Sequence, residues 1–318
     1  DVYAHVSEFD AFVPFTPPSL DIEGFRAAVA GTGKEDEYAA LYEHASPSFW
    51  GTVAGVLRAV SPVDLARLLG VGDPPDEAKG IAEHLKALIH DRDTIQIGTG
   101  EPGRNMPNLG VFDERQDLGL HTELGSPGYG RLVREGIITN KYKTLHPGKS
   151  IAAAWTGVAE DDLRYIAGNP LFELYDPSYV LHMRTILQIE NFVAINNGIS
   201  IDFLGQINSE SVFGPRLING LGGQPDAHIG AMYAKGGRAI TLLPSTALGG
   251  SVSRIVPMMP EGSYCTIPRF YADYVVTEFG VARLFGKTHR ERAEELISVA
   301  HPDHKADLRE ALKGQLFP

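Results

Sequence analysis

Apolar positions change their spacing near residue 93. From Ile22 to about His90 they recur at helical intervals, as in Ile81, Leu85, Leu88 and Ile89 after Asp76, which predicts a helix over 76–90. Ser61-Pro62-Val63-Asp64, ahead of Leu65, Leu68 and Leu69, has the form of a capping box with proline at the first helical position. After Asp93 short apolar runs alternate with amphipathic ones. The runs at 94–97, 118–121, 151–155, 193–196, 199–203, 239–243, 253–258 and 274–277 predict strands. Helices are predicted over 130–135, 161–167 and 288–301, the last opened by a second capping box, Thr288-His289-Arg290-Glu291. Alternating β and α elements define an α/β fold, an open and mostly parallel sheet with flanking helices, preceded by a helical N-terminal segment. In such sheets ligands gather at the carboxyl ends of the strands.

Candidate chemistry is therefore sought in the turns that follow strands. Gly98-Thr99-Gly100-Glu101-Pro102-Gly103 matches G-x-G-x-x-G directly after a strand. A dinucleotide site needs a long helix to start there, and Pro107 with Gly110 disfavours one. A plain tight turn, or a turn whose bare N–H groups bind an oxyanion or a phosphate, is left. In His121-Thr122-Glu123-Leu124-Gly125 a carboxylate stands at a strand's carboxyl end, either facing the cleft or serving as a cap or surface acid. Asn219-Gly220-Leu221-Gly222-Gly223 and Pro244-Ser245-Thr246-Ala247-Leu248-Gly249-Gly250 are two more glycine turns. Three such turns and one acid in equivalent positions suggest a cleft lined by backbone.

Other chemistries lack their residues. There is no G-x-S-x-G elbow, no G-x-x-x-x-G-K-[ST] and no H-E-x-x-H. His301-Pro302-Asp303-His304 reads as a helix terminus, and no metal is expected. The single cysteine, Cys265, excludes an internal disulfide and reads as a small buried residue. Lys141, Lys143, Lys149, Arg238 and Arg254 read as solvated, one or two of them free to meet a ligand phosphate. Composition narrows the field further. The 318 residues are 43% hydrophobic and 21% charged, an ordinary globular balance of about two domains' length. A net charge of −12, from 28 basic and 40 acidic residues, argues against nucleic acid or an anionic membrane as partner. No apolar run is long enough to span a bilayer, and low cysteine usage fits a reduced cytoplasm. The chain opens at Asp1 without Met or a signal-peptide core, so the expectation is that either residues were removed or an upstream part of the gene product is absent from this chain.

Seven motifs, in order, resemble the acetyl-CoA hydrolase/transferase family of class I CoA-transferases, most closely its 4-hydroxybutyrate and butyrate branch. They are Gln96-Ile97-Gly98-Thr99-Gly100; Asp117-Leu118-Gly119-Leu120-His121-Thr122-Glu123; Ile138-Thr139-Asn140-Lys141 with Lys143-Thr144-Leu145-His146-Pro147-Gly148-Lys149; Gly205-Gln206-Ile207-Asn208-Ser209-Glu210-Ser211; Asn219-Gly220-Leu221-Gly222-Gly223; Leu243-Pro244-Ser245-Thr246-Ala247 with Ser253-Arg254-Ile255-Val256-Pro257; and Val276-Thr277-Glu278-Phe279-Gly280. The resemblance implies a NagB/RpiA/CoA-transferase-like fold over 85–318, a joining segment over 1–20 that includes His5-Val6-Ser7-Glu8-Phe9-Asp10, and a helical segment or insertion over 21–84. It implies Glu123 as the nucleophile, forming a glutamyl-CoA thioester, with backbone at Thr99 and Gly223 as the oxyanion hole. It places coenzyme A, a substrate and not a cofactor, against Gly98, Gly100, Asn219, Gly222, Gly223 and Leu248, where the family commonly has a basic residue at the last. The implied partners are an acyl-CoA, a short-chain carboxylate, a chain or domain supplying the N-terminal half, and further copies of this chain. Hydrolysis by the same glutamate, or acyl-CoA binding without turnover, are the alternatives.

Overall fold

The computed structural model describes residues 19–44, 50–51, 54–59, 62, 73–155, 160–212 and 214–315. All of the joining segment but its last two residues, and all of the capping box at 61–64 but Pro62, lie outside them. The chain divides into two compact units, Asp1–Pro74 and Pro75–Pro318. In the first, the helix Ile22–Val29 is capped by Asp21, whose carboxylate accepts from the Gly24 N–H at 2.8 Å. Its buried face, Phe25 and Val29, packs with Tyr38, Leu41, Trp50 and Leu57. Phe25 meets the Trp50 ring edge-on at 4.6 Å, the geometry that favours aromatic pairs.

The second unit is built on one large sheet. Its strands are β1 (Thr94–Ile97), β2 (Gly119–Gly125), β3 (Ser150–Trp155), β4 (Phe172–Leu174) and β5 (Phe192–Asn197). Short strands follow as β6 (Ser200–Asp202), β7 (Ile207–Asn208), β8 (Ser211–Val212) and β9 (Arg216–Leu217). After them come β10 (Arg238–Leu242), β11 (Thr246–Ala247), β12 (Val252–Ser253), β13 (Ile255–Val256), β14 (Tyr274–Thr277) and β15 (Gly280–Arg283). Eight of these pair in the order β15-β14-β10-β5-β1-β2-β3-β4, parallel throughout except for the antiparallel edge β15. The expected open, mostly parallel α/β sheet is what the chain forms. The apolar run at 199–203, expected as one more strand, instead gives β6, which belongs to a small sheet with β13 and β7.

Two layers of helix cover the sheet. The helix Asp76–Leu85 buries Ala78, Ile81, Ala82 and Leu85 in the core that also holds Ile95, Leu120, Val193, Ile240 and Val276. That packing joins it to the second unit, so the division falls after Pro74 and not after residue 84. A second core, Phe192, Ala194, Ala227, Ala231 and Ala239, seats the helix Gln224–Tyr233. This helix opens in a glycine turn that reads as irregular from sequence, although its Pro225 in the first turn is a helix-start signal. The capping box at Thr288 and Glu291 is formed, ahead of the helix His289–Ser298.

Two buried histidines tie stability to pH. His121 Nε2 lies 2.8 Å from the Val180 carbonyl and His228 Nε2 3.1 Å from that of Tyr271. Burial, aided for His121 by the Lys143 charge, lowers their pKa values to about 3 and about 4 from an ordinary 6.5. Both are therefore neutral when folded and take up a proton on unfolding below about pH 6.5. Their contribution is present above that pH and is lost as pH falls toward 4 and 3, at about 1.4 kcal/mol per pH unit and group. Replacing His228 by Gln removes one such group. Denaturant titrations should then show the gap between wild type and His228→Gln shrinking by about 2 kcal/mol from pH 7 to pH 5. A gap unchanged with pH would refute the assignment.

Candidate functional site

In doubly wound sheets the crevice opens where the strand order reverses. Here the chain runs from β1 outward through β2, β3 and β4, then returns to place β5 on the other side of β1. The carboxyl ends of β1, β2 and β5 therefore surround the switch point. Thr94 pairs with Gly119 and Ile95 with Leu120, so continuing the register sets Ile97 beside Thr122 and Gly98 beside Glu123. The Thr122 hydroxyl, 3.5 Å from the Ile97 carbonyl, agrees with that register.

β2 extends past the expected 118–121 to Gly125, so Glu123 lies within the strand. Alternation along it points Leu120 into the core under the helix Asp76–Leu85, and points His121 and Glu123 to the opposite face. On that face the His121 ring meets Phe192 edge-on at 6.2 Å. Glu123 is half-buried, and its Oε2 accepts the Gly223 N–H at 3.0 Å. Gly223 is the residue that caps the ten-residue helix Gln224–Tyr233. Unpaired N–H groups and the helix dipole make this end a favourable place for negative charge. A side chain at 223 would displace its neighbours: a Cβ there would stand 2.3 Å from Glu123 Oε2 and 2.6 Å from Leu181 Cδ1.

The turn after β1 leads into a single 3₁₀ turn, Gly103–Asn105, and no long helix starts from it. Thr99 and Gly100 are exposed at its tip, beside the end of β2. Asn219 and Gly222 are also exposed, on the loop that runs into Gly223. Leu248 stands 66% exposed in the loop between β11 and β12, which follows β10 in the chain, with a left-handed φ of +51°. The structure thus joins Glu123 to Gly223 directly and sets the 98–100 turn next to them.

Several polar residues differ from the sequence reading. Lys143 is buried, its Nζ donating to the carbonyls of Leu120 at 2.8 Å and Lys149 at 2.6 Å, and burial lowers its pKa to about 7. Arg254 is half-buried and donates to the Thr246 and Ile199 carbonyls, at 3.0 and 3.1 Å. Arg238 pairs with the buried Asp93, and Lys149 bonds Glu173 at 2.9 Å. Only Lys141 of the five is solvated as expected, its ammonium 5.1 Å from the Tyr142 ring centre. Cys265, expected to be buried, is exposed. His301 caps a short 3₁₀ turn, and among the described residues no group of three His, Cys, Asp or Glu could hold a metal ion. Among them too, no helix is long and apolar enough to cross a membrane.

Residues 161–312 match the profile of the acetyl-CoA hydrolase/transferase C-terminal domain. The 4-hydroxybutyrate coenzyme A transferase of Clostridium kluyveri is 42% identical over 240 residues, which is 75% of this chain and 54% of that protein. An acetyl-CoA hydrolase of Candida albicans is 35% identical over 87% of this chain and 54% of its own length. Among solved structures, RipA from Yersinia pestis superimposes with a TM-score of 0.71 at 36% identity, covering 77% of this chain and 54% of that one. The chain belongs to the acetyl-CoA hydrolase/transferase family. It spans about half the length of the relatives it matches.

Proposed function

We propose that this chain carries the catalytic half of an acyl-CoA:carboxylate CoA-transferase, with Glu123 as nucleophile. The observation that carries the reading is the half-buried Glu123 carboxylate, held by the Gly223 N–H at a helix N-terminus beside the switch point. A carboxylate so placed can attack the thioester carbonyl of an acyl-CoA. The C–S bond breaks, the thiolate of CoA leaves, and an acyl-glutamyl anhydride remains. The thiolate then attacks the glutamyl carbonyl, releasing the acyl group as a carboxylate and leaving a glutamyl-CoA thioester. An acceptor carboxylate attacks that thioester and the sequence runs in reverse, giving the new acyl-CoA and free Glu123. One difficult transfer is divided into easier steps.

Each addition creates an oxyanion that needs N–H donors already in place, worth about 10²–10³ in rate apiece. Gly223 is one, and the Thr99 N–H in the adjacent turn is the second. Coenzyme A is a substrate here and would run along the backbone of Gly98, Gly100, Asn219 and Gly222. That the relatives are about twice as long supports a cleft completed by a further domain or chain; this reading takes the assembled protein to be an oligomer in a reduced cytoplasm. Water resolving the same thioester would make the protein an acyl-CoA hydrolase, as the Candida albicans relative is named.

The assembled protein should be given acetyl-CoA with and without butyrate. Transfer predicts butyryl-CoA in step with acetyl-CoA loss, and little free CoA without the acid. Free CoA at the same rate in both reactions would favour hydrolysis, and binding without turnover would refute the catalytic reading.

A further inference from the structure

Asn197 is the last residue of β5, and its carboxamide spans the turn that follows β1. Its Oδ1 accepts the Gly103 N–H at 2.8 Å, and its Nδ2 donates to the Gly100 carbonyl at 2.8 Å. One amide side chain thus satisfies a donor and an acceptor on either side of Glu101-Pro102, where proline has no N–H to give. The approach depends on missing side chains: a Cβ on Gly103 would stand 2.9 Å from Oδ1, and one on Gly100 3.0 Å from Nδ2. One residue earlier, Asn196 exchanges amide hydrogen bonds with Gln96 on β1, at 2.9 and 3.2 Å. The end of β5 therefore grips both β1 and its turn.

A turn rich in glycine loses much entropy when ordered, and an oxyanion donor helps only if it is ordered before charge develops. We propose that Asn197 is a positioning residue, whose carboxamide fixes the 98–103 turn so that the Thr99 N–H stands ready for the oxyanion formed at Glu123. This rests on the catalytic reading of Glu123 given above.

The test uses the assembled protein with acetyl-CoA and butyrate. Asn197→Ala should lower kcat about 10- to 100-fold, as small misplacements of catalytic groups do, with KM for acetyl-CoA within about threefold of wild type. Asn197→Asp gives a signature that a merely structural role would not. Its ionised form sets a negative oxygen against the Gly100 carbonyl. Its protonated form restores the geometry, the O–H donating to Gly100 and the C=O accepting from Gly103. The ratio of Asn197→Asp to wild-type kcat should rise about tenfold or more from about pH 8 to about pH 5, while the Asn197→Ala ratio stays flat. An alanine variant within twofold of wild type, or a flat aspartate ratio, overturns the proposal. If Asn197→Ala does not fold, the aspartate ratio decides alone. Glu123→Gln, assayed alongside, separates the two claims. Full turnover in that variant removes the glutamate reading, whereas an inactive Glu123→Gln beside a normal Asn197→Ala removes only the role of Asn197.

Discussion

Alanine at position 223 is expected to lower turnover at least about a hundredfold while the protein still folds. The added Cβ would stand 2.3 Å from Glu123 Oε2 and 2.6 Å from Leu181 Cδ1, so both side chains would have to move. A left-handed backbone is not the cause, since Gly223 has a negative φ of −84° with ψ 5°, in a region open to residues other than glycine. The carboxylate must shift instead, and with it the N–H contact at 3.0 Å. Displacing a reacting group by about 1 Å can cost 10²-fold in rate. Steady-state kinetics beside a thermal melt would check this. Activity within a few-fold of wild type would mean that Glu123 does not need its contact with Gly223.

Glu123→Gln should be more severe. Glutamine keeps the shape of the side chain and can still accept the Gly223 N–H, but its amide oxygen is a poor nucleophile. Removing the nucleophile of a covalent enzyme typically costs 10³-fold or more, so kcat should fall to near background while acetyl-CoA binding, followed by calorimetry, is kept. Near-normal turnover would exclude attack by this residue.

The strands of the central sheet were legible because buried parallel strands read as short, nearly continuous apolar runs. Thr94-Ile95-Gln96-Ile97 and Tyr274-Val275-Val276-Thr277 are found at the expected bounds. The edge strands β4 and β15 escaped notice, being three and four residues long, with Glu173 in one and Arg283 in the other. Glu123 stood out as an acid beside glycines at a strand's end, and Gly223 as part of a glycine turn. Their contact did not, because a hydrogen bond across 100 residues depends on how the helix Gln224–Tyr233 seats on the sheet. Asn197 was invisible for the same reason: its partners Gly100 and Gly103 lie 97 and 94 residues away. Lys143 misled because a lysine in a basic stretch looks solvated, and the carbonyls of Leu120 and Lys149 that receive it leave no mark in side-chain pattern.

Loss of activity in a glutamate variant cannot by itself separate attack from positioning, but trapping can. The assembled protein would be incubated with acetyl-CoA, reduced with borohydride and digested for peptide mass spectrometry. A glutamyl-CoA thioester is reduced to an alcohol, so the peptide containing Glu123 should carry that change, which should vanish without acetyl-CoA. Robust turnover with Glu123 unmodified, or with the alcohol on another acid, would contradict the account.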